Sequence, residues 1–398
     1  MKKTFLKLFA FVAVSAIVST SCSSDNNNEN TSTFVVDPNA FEGIIDNGEV
    51  TLNANTVYKL TGKLQINEGA ILTIPAGTRI EATGQTSSYI AVAQGGKLNV
   101  NGTAASPVVM TSGLTTQAAG DWGGLVICGR APINSINGGT GTAQSEVADL
   151  TYGGTISNDN SGSIKYLRIE YAGAAFSSTK EFNGVSLFGV GSGTTFEYVE
   201  TYHGADDGFE FFGGSVNTSN LISIGNEDDA FDWTEGWNGT NNNWFGKLDF
   251  GKGNRGIEAD NYELGYANTP VSNPTITNIT LIGAGSTASS GTYPENQAFK
   301  FRRGTKSLVT NASISGWATG INVEHDETIA FVAGGLLKVT NITFNDVTTK
   351  TKGTKTAVAP ATAGVSADVT AVYFEAPTTG AGNGTSQPTW ADLWSVGF

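Results

Sequence analysis

Two acidic hexapeptides hold the residues of this sequence best able to do chemistry: DDGFEF at Asp206–Phe211 and DDAFDW at Asp228–Trp233. Asp207 and Asp229 are 22 residues apart, the length of one turn of a parallel β-helix, so equivalent residues are expected to stack strand on strand. If Phe209 and Phe211 point inward, period-two alternation sends Glu210 outward, and the same register sends Asp232 outward between Phe231 and Trp233. Carboxylates stacked at a strand spacing of about 4.8 Å repel by about 1 kcal/mol in water and several times more in a drier site. Such a column calls for a cation, a basic neighbour or a shifted pKa. An oxygen-only set built on Glu210, Asp232 and Glu258, helped by Asp207, Asp229 or Asp260, suits Ca²⁺, whereas zinc is disfavoured because neither histidine nor cysteine clusters with the acids. The same acids could instead serve a polysaccharide lyase or glycoside hydrolase, with Glu210, Asp232 and Glu258 as carboxylates and Lys300, Arg302 or Arg303 as the base.

The strands that must position these residues recur downstream. RGIEAD, AFKFRR and TGINVE extend the outward column to Glu210, Asp232, Glu258, Lys300 and Asn322, with Ile257, Ala259, Phe299, Phe301, Ile321 and Val323 inside. Two residues later a second column reads Phe212, Thr234, Asp260, Arg302 and Glu324, which alternates in sign and neutralises itself. One residue before the first inward position stand only small side chains, Gly208, Ala230, Gly256, Ala298 and Gly320, as crowded neighbouring backbones require. A companion strand (KYLRIEY, EYVETYH, SNLISIG, TNITLIG, TNASISG, TNITFND) places Tyr166, Tyr198, Asn220, Asn278, Asn311 and Asn341 at one position. Stacked asparagines at a coil corner are read as architecture, not as a site.

Composition agrees. Glycine supplies 51 of 398 residues and only 15% are charged, which suits many short strands joined by Gly, Asn and Thr turns. The fold class expected is all-β: one right-handed parallel β-helix of about 12 coils over residues 41–385, with loops projecting at 174–183, 234–243 and 286–296. Trp390, Leu393, Trp394 and Phe398 fall at helical spacing, so residues 386–398 are expected to form a short helical cap over the last open coil.

At the other end, Lys2, Lys3 and Lys7 precede an apolar run from Leu8 to Val18, then Ser19, Thr20, Ser21 and Cys22. This layout is that of a secretory signal over residues 1–21, and the cysteine resembles a bacterial lipoprotein signal, which implies lipidation at Cys22. Residues 22–40 read as a polar tether, with Asp25 and Glu29 resembling a surface-export signal of Bacteroidota lipoproteins. Cys128 is then left without a disulfide partner and reads as a small buried residue. Removing residues 1–21 takes away three lysines and no acid, leaving 19 basic residues against 36 acidic ones, a net −17. That balance argues against nucleic acid and anionic membrane surfaces as partners.

DWGGLVICGRAPIN, YLRIEYAG, GVGSGTTFEYVE, DDGFEFFGGSVN, EDDAFDW and RGIEADN together resemble a Bacteroidota outer-membrane lipoprotein family of right-handed parallel β-helices. The resemblance implies outer-membrane anchoring through Cys22 and is silent about chemistry. Three functions are therefore carried forward. The first is non-enzymatic glycan binding or adhesion, with Trp237 and Trp244 of the EGWNGTNNNW segment and Tyr262, joined by Tyr266 and Tyr293, stacking on sugar faces. The second is the lyase or hydrolase outlined above; GHG and RIK signatures of polygalacturonases are absent, and His203 and His325 lie too many coils apart to share a site. The third is an accessory subunit of an outer-membrane protein complex.

Overall fold

Alternating apolar residues make each short strand two-faced, and a chain of such strands buries its apolar face only by coiling. In the computed structural model, which describes residues 32–249, 252–288, 295–358 and 363–398, it does so as a parallel β-helix with three faces. On the first face, eleven strands stack in register from Gly43–Ile45 to residues 347–354, close to the twelve coils expected. The second and third faces stack similarly, the second from Gly48–Thr51 onward and the third from Val57–Leu60 onward. Long strands such as Gly162–Glu170 and Thr195–Tyr202 turn the corner between these two.

That corner is where the asparagine column sits. Tyr166, Tyr198, Asn220, Asn243, Asn278, Asn311 and Asn341 all have positive φ, a conformation asparagine tolerates better than most residues. Asn341 donates to Asn311 Oδ1 at 3.1 Å, Asn311 to Asn278 Oδ1 at 3.0 Å, and Asn278 to Asn243 Oδ1 at 3.1 Å. The small-residue column is equally structural: a Cβ on Gly208 would stand 2.7 Å from the Ala230 carbonyl oxygen.

The interior is aromatic in mid-coil. Phe209 stacks on Phe231 at 5.6 Å, Phe211 on Trp237 at 4.0 Å and Phe231 on Trp244 at 4.4 Å. Pairs of this kind add about 0.5–1.5 kcal/mol each beyond area burial. Every inward residue expected from the repeat, from Phe209 to Val323, is buried. Cys128 is buried too, and burial pushes its thiol up to about 12, so it is an inert core residue.

Three expectations change. Residues 234–243 do not project as a loop: Thr240–Lys247 is already the next strand, and Trp237 is core. The helical turn near the end is a single 3₁₀ turn, Thr389–Ala391, and it lies on the outer surface of the third face, where Trp394 meets Tyr166 and Tyr198 edge-on at 5.9 and 6.0 Å. The last coil is closed instead by Val332 of the helix Asp326–Ala333 and by Val369 and Val372. The loop at 174–183 is present, bridged between Ala175 and Glu181; most of 286–296, like Cys22, Tyr293 and residues 1–21, lies outside the described residues. No helix among the described residues is long and apolar enough to cross a membrane.

Candidate functional site

The acidic column forms on the first face as its spacing dictates. Ser186, Glu210, Asp232, Glu258, Lys300 and Asn322 are consecutive partners across adjacent strands. Flanking it, Asp206-Asp207 and Asp228-Asp229 occupy the turn that leads into each strand. Carboxylate oxygens of Asp207, Glu210 and Asp232 lie within 4.8 Å of one another, as do those of Asp206, Asp207 and Asp228, and those of Asp229, Asp232 and Glu258.

Compensation is lopsided. Arg255 Nη1 meets Asp229 Oδ2 at 2.9 Å and Glu258 Oε1 at 2.8 Å, and Arg302 Nη2 meets Glu258 Oε2 at 2.5 Å while its Nε meets Asp260 Oδ1 at 2.7 Å. Arg303 Nη1 completes the pairing of Asp260 at 2.6 Å. The second column thus neutralises itself as its alternation of sign predicts. Among the described residues, by contrast, no lysine or arginine forms a salt bridge with Asp206, Asp207, Glu210, Asp228 or Asp232. Glu210 accepts from the Asn183 amide at 2.7 Å, and Asp207 from the Asp229 N–H at 2.8 Å, which is too little to hold both ionised. Burial, followed by the neighbouring carboxylates, pushes Asp206 up to about 8 and holds Asp207, Glu210 and Asp232 well above the usual carboxylate range.

The column is outward from the coil yet only partly exposed to solvent. Residues 129–161 leave the coil after the strand Leu125–Cys128 and fold over it, and a second excursion, residues 260–274, closes from the other side. Asparagines clamp the two together. Asn134 Nδ2 donates to Asn261 Oδ1 at 2.7 Å and to the Pro270 carbonyl at 2.9 Å, while Asn268 donates back to the Asn134 carbonyl at 2.9 Å. The Tyr152 hydroxyl donates to Glu235 Oε2 at 2.7 Å, fixing the turn after the second strand. What remains is a cavity of about 280 Å³ whose lining includes Glu146, Glu210, Asp232, Glu258, Tyr262 and Arg303.

Sequence reasoning thus found part of this cavity. Glu210, Asp232, Glu258, Tyr262 and Arg302 line it. Trp237 and Trp244 do not: both are 0% exposed, with indole N–H groups bonded to the Val216 carbonyl at 3.3 Å and Thr218 Oγ1 at 2.9 Å. Trp244 pairs in register with Leu221 and Ile279, so the pleat turns it inward, and it cannot stack on a ligand. Lys300 is 4% exposed and bonded to Glu295 at 2.5 Å, and it is not part of the lining; it cannot serve as a base there. Glu258 is ion-paired at both oxygens, which leaves it poorly placed as a metal ligand. The histidines stay apart: His203 faces Asp249 at 3.4 Å, and His325 Nδ1 accepts the Arg303 N–H at 3.0 Å. Missed from sequence were Glu146 and Glu263, which sit on the excursions outside the repeat, and Glu235, in the turn after Phe231–Thr234. Glu146 is the most altered of these, pushed up to about 7 by burial and by Glu235 and Glu263 against the pull of Lys180.

Residues 43–395 match the family described as the pectate-lyase like beta helix domain. The chain belongs to that family. No curated protein matches it. Among solved structures, this β-helix is similar to the enzymatically active domain of tailspike protein 2 from bacteriophage CBA120, at 14% identity and a TM-score of 0.22. That likeness covers 74% of this chain and 39% of the tailspike chain. Within this pectate-lyase like β-helix, the clamped cavity over the first face brings carboxylates and the guanidinium groups of Arg302 and Arg303 into one enclosure.

Proposed function

We propose that the chain is a lipid-anchored, surface-facing protein of a bacterial outer membrane that binds glycan in this cavity without transforming it. The single observation that carries the reading is the lining: carboxylates and two guanidinium groups, with the partly exposed Tyr262 at the side. Carboxylate and arginine side chains hydrogen-bond adjacent sugar hydroxyls, and a tyrosine ring covers an apolar sugar face. The family's description, pectate-lyase like, points to the same ligand class. Anchoring rests on Lys2, Lys3, Lys7 and Cys22 in the sequence, and the resemblance to Bacteroidota lipoproteins supports the outer membrane as the destination. A role as an accessory subunit of an outer-membrane complex has no such lining behind it.

The cation expected at Glu210, Asp232 and Glu258 fits better one step upstream, at Asp207, Glu210 and Asp232, which no lysine or arginine among the described residues engages in a salt bridge. Those residues offer oxygen only, the donor set for Ca²⁺. Retention of the purified protein on glycan affinity gels, and its loss in Tyr262→Ala and Arg303→Ala, tests the binding reading. Failure to bind any neutral or acidic glycan, with and without Ca²⁺, would sink it.

One observation favours a second reading, a glycoside hydrolase. Glu146 is pushed up to about 7 while Asp260, across the same cavity, is paired with two arginines. Unlike environments for two carboxyls in one cavity are how hydrolases divide acid and base roles. Release of reducing ends from a bound glycan, abolished by Glu146→Gln, would replace the binding reading with this one. The lyase reading loses Lys300 as its base, and the two arginines that do reach the lining, Arg302 and Arg303, are both held by Asp260.

A further inference from the structure

The third face carries an outward row that runs through Arg168, Glu200, Ile222, Phe245, Thr280, Ser313 and Thr343, each in register with the next. An outward row on a solvated sheet is ordinarily polar, yet Ile222, Phe245 and Thr280 are fully buried, and Glu200 is 0% exposed. Their cover is the last segment of the chain. Thr343 Oγ1 donates to the Ala376 carbonyl at 3.2 Å, the Ala381 N–H donates to Thr280 Oγ1 at 3.0 Å, and Phe398 packs on Phe245 at 5.0 Å. Arg168 reaches the Trp394 carbonyl at 3.5 Å and Lys247 the Gly397 carbonyl at 3.0 Å. The segment therefore runs back over six strand spacings, about 29 Å at roughly 4.8 Å each.

Its fastening is unusual. The Val396 N–H donates to both oxygens of Glu200, at 3.0 and 3.1 Å, and Glu200 makes no salt bridge among the described residues. Arg168, the cation opposite it in register, is engaged by Glu170 at 3.0 Å. The next strand on the other side presents Ile222, and among the described residues the covering segment adds the apolar side chains of Ala381, Ala391, Trp390 and Trp394 to the same cluster. A carboxyl that would face water if the segment lifted is thus sealed with one shared N–H as its hydrogen-bond partner.

We propose that residues 376–398 form a proton-linked strap over this row, latched at Glu200 and able to lift from the coils without unfolding them. Closing removes Glu200 from water, and burial raises its pKa well above the usual range, against the pull of the Val396 N–H and Arg168 and with the push of Glu170. An exposed glutamate titrates near 4.3. The closed strap therefore holds a proton that the open strap releases, so closure is tightest in acid and weakens as the pH rises through the closed-state pKa. Between the two pKa values the open-to-closed ratio increases about tenfold per pH unit. Lifting uncovers the stacked pair Tyr166 and Tyr198, at 4.3 Å and 14°, with Ile222 and Phe245 beside it.

Hydrogen exchange of the whole protein at pH 5, 6, 7 and 8, corrected for intrinsic rates, tests this on a peptide covering residues 389–398. Peptides from the central strands serve as the internal reference. The expected result is corrected exchange that climbs up to tenfold per pH unit in wild type and stays flat and slow in Glu200→Gln, which keeps an acceptor for Val396 and has no proton to lose. Val396→Pro removes the donor N–H and stiffens the backbone at one point of the strap, outside every coil; it should leave this peptide open at every pH with the central strands still protected. A flat wild-type profile, or an equal slope in Glu200→Gln, overturns the proposal. So does a Val396→Pro strap as protected as wild type.

Discussion

Replacing Asp232 by asparagine should stabilise the protein, and by more as the pH rises. The oxygens of Asp232 lie within 4.8 Å of those of Asp229 and Glu258. Two like charges at that separation cost about 3.5 kcal/mol at an effective dielectric of about 20. Arg255 and Arg302 offset part of this through Asp229 and Glu258, leaving a net gain of about 1–3 kcal/mol for a neutral, nearly isosteric replacement. The sign with pH follows from the direction of the shift. Burial first, then Glu258, Asp229 and Asp260, hold the folded-state pKa of Asp232 well above its ordinary value. A group raised on folding supports the folded state fully below its unfolded pKa, near 3.9, and loses that support as pH climbs through the folded value. Wild type should therefore lose stability above about pH 4, and Asp232→Asn should lose less. Urea unfolding with EDTA at pH 4.5 and pH 8 reads the difference as a shift in midpoint at unchanged slope. Calcium adds a second arm: it should stabilise wild type at pH 8 and leave Asp232→Asn unmoved, with calorimetric heats to match. A variant less stable than wild type at pH 8, or an advantage equal at both pH values, would refute the electrostatic argument.

Trp244→Ala and Trp237→Ala should each cost about 3–5 kcal/mol in unfolding free energy, the loss for truncating a buried aromatic, and should act on stability before any ligand is added. Tyr262→Ala should leave the unfolding midpoint within about 0.5 kcal/mol of wild type, as for an uncommitted surface change, while removing glycan retention on affinity gels. Cys22→Ser should move the protein from the detergent-soluble membrane fraction to the aqueous phase in phase partitioning, and abolish incorporation of labelled fatty acid. If the hydrolase reading holds, the alkaline limb of activity should fall near pH 7, the value of Glu146, and vanish in Glu146→Gln.

Much of the coil was legible because a pleat leaves little choice. Once Phe209 and Phe211 are inward, Glu210 is outward, and the 22-residue offset to Asp229 forces Asp232 to stack on it. The same logic carried to Lys300 and Asn322 although the spacing between coils varies, since each strand repeats its own alternation. It failed at Trp244, where an Asn- and Gly-rich run reads as a loop yet continues into the next strand. It also had no purchase on Glu146 or Glu200. Glu146 lies in an excursion with no repeat to place it. Glu200 looks like any outward acid until residues 376–398 are seen lying across it.

Local alternation, small residues at crowded positions and asparagines at a left-handed corner are properties of neighbours along the chain or one coil away, and they suffice to specify the β-helix and the acidic column. Whether that column, or Glu200 on the third face, faces water is settled by segments far away in sequence: Asn134 clamps Asn261 from 127 positions distant, and Val396 reaches Glu200 across 196. Dielectric surroundings, and with them the charge state of every acid in the site, depend on which distant chain covers which strand. Alternation along the strand carries no trace of that.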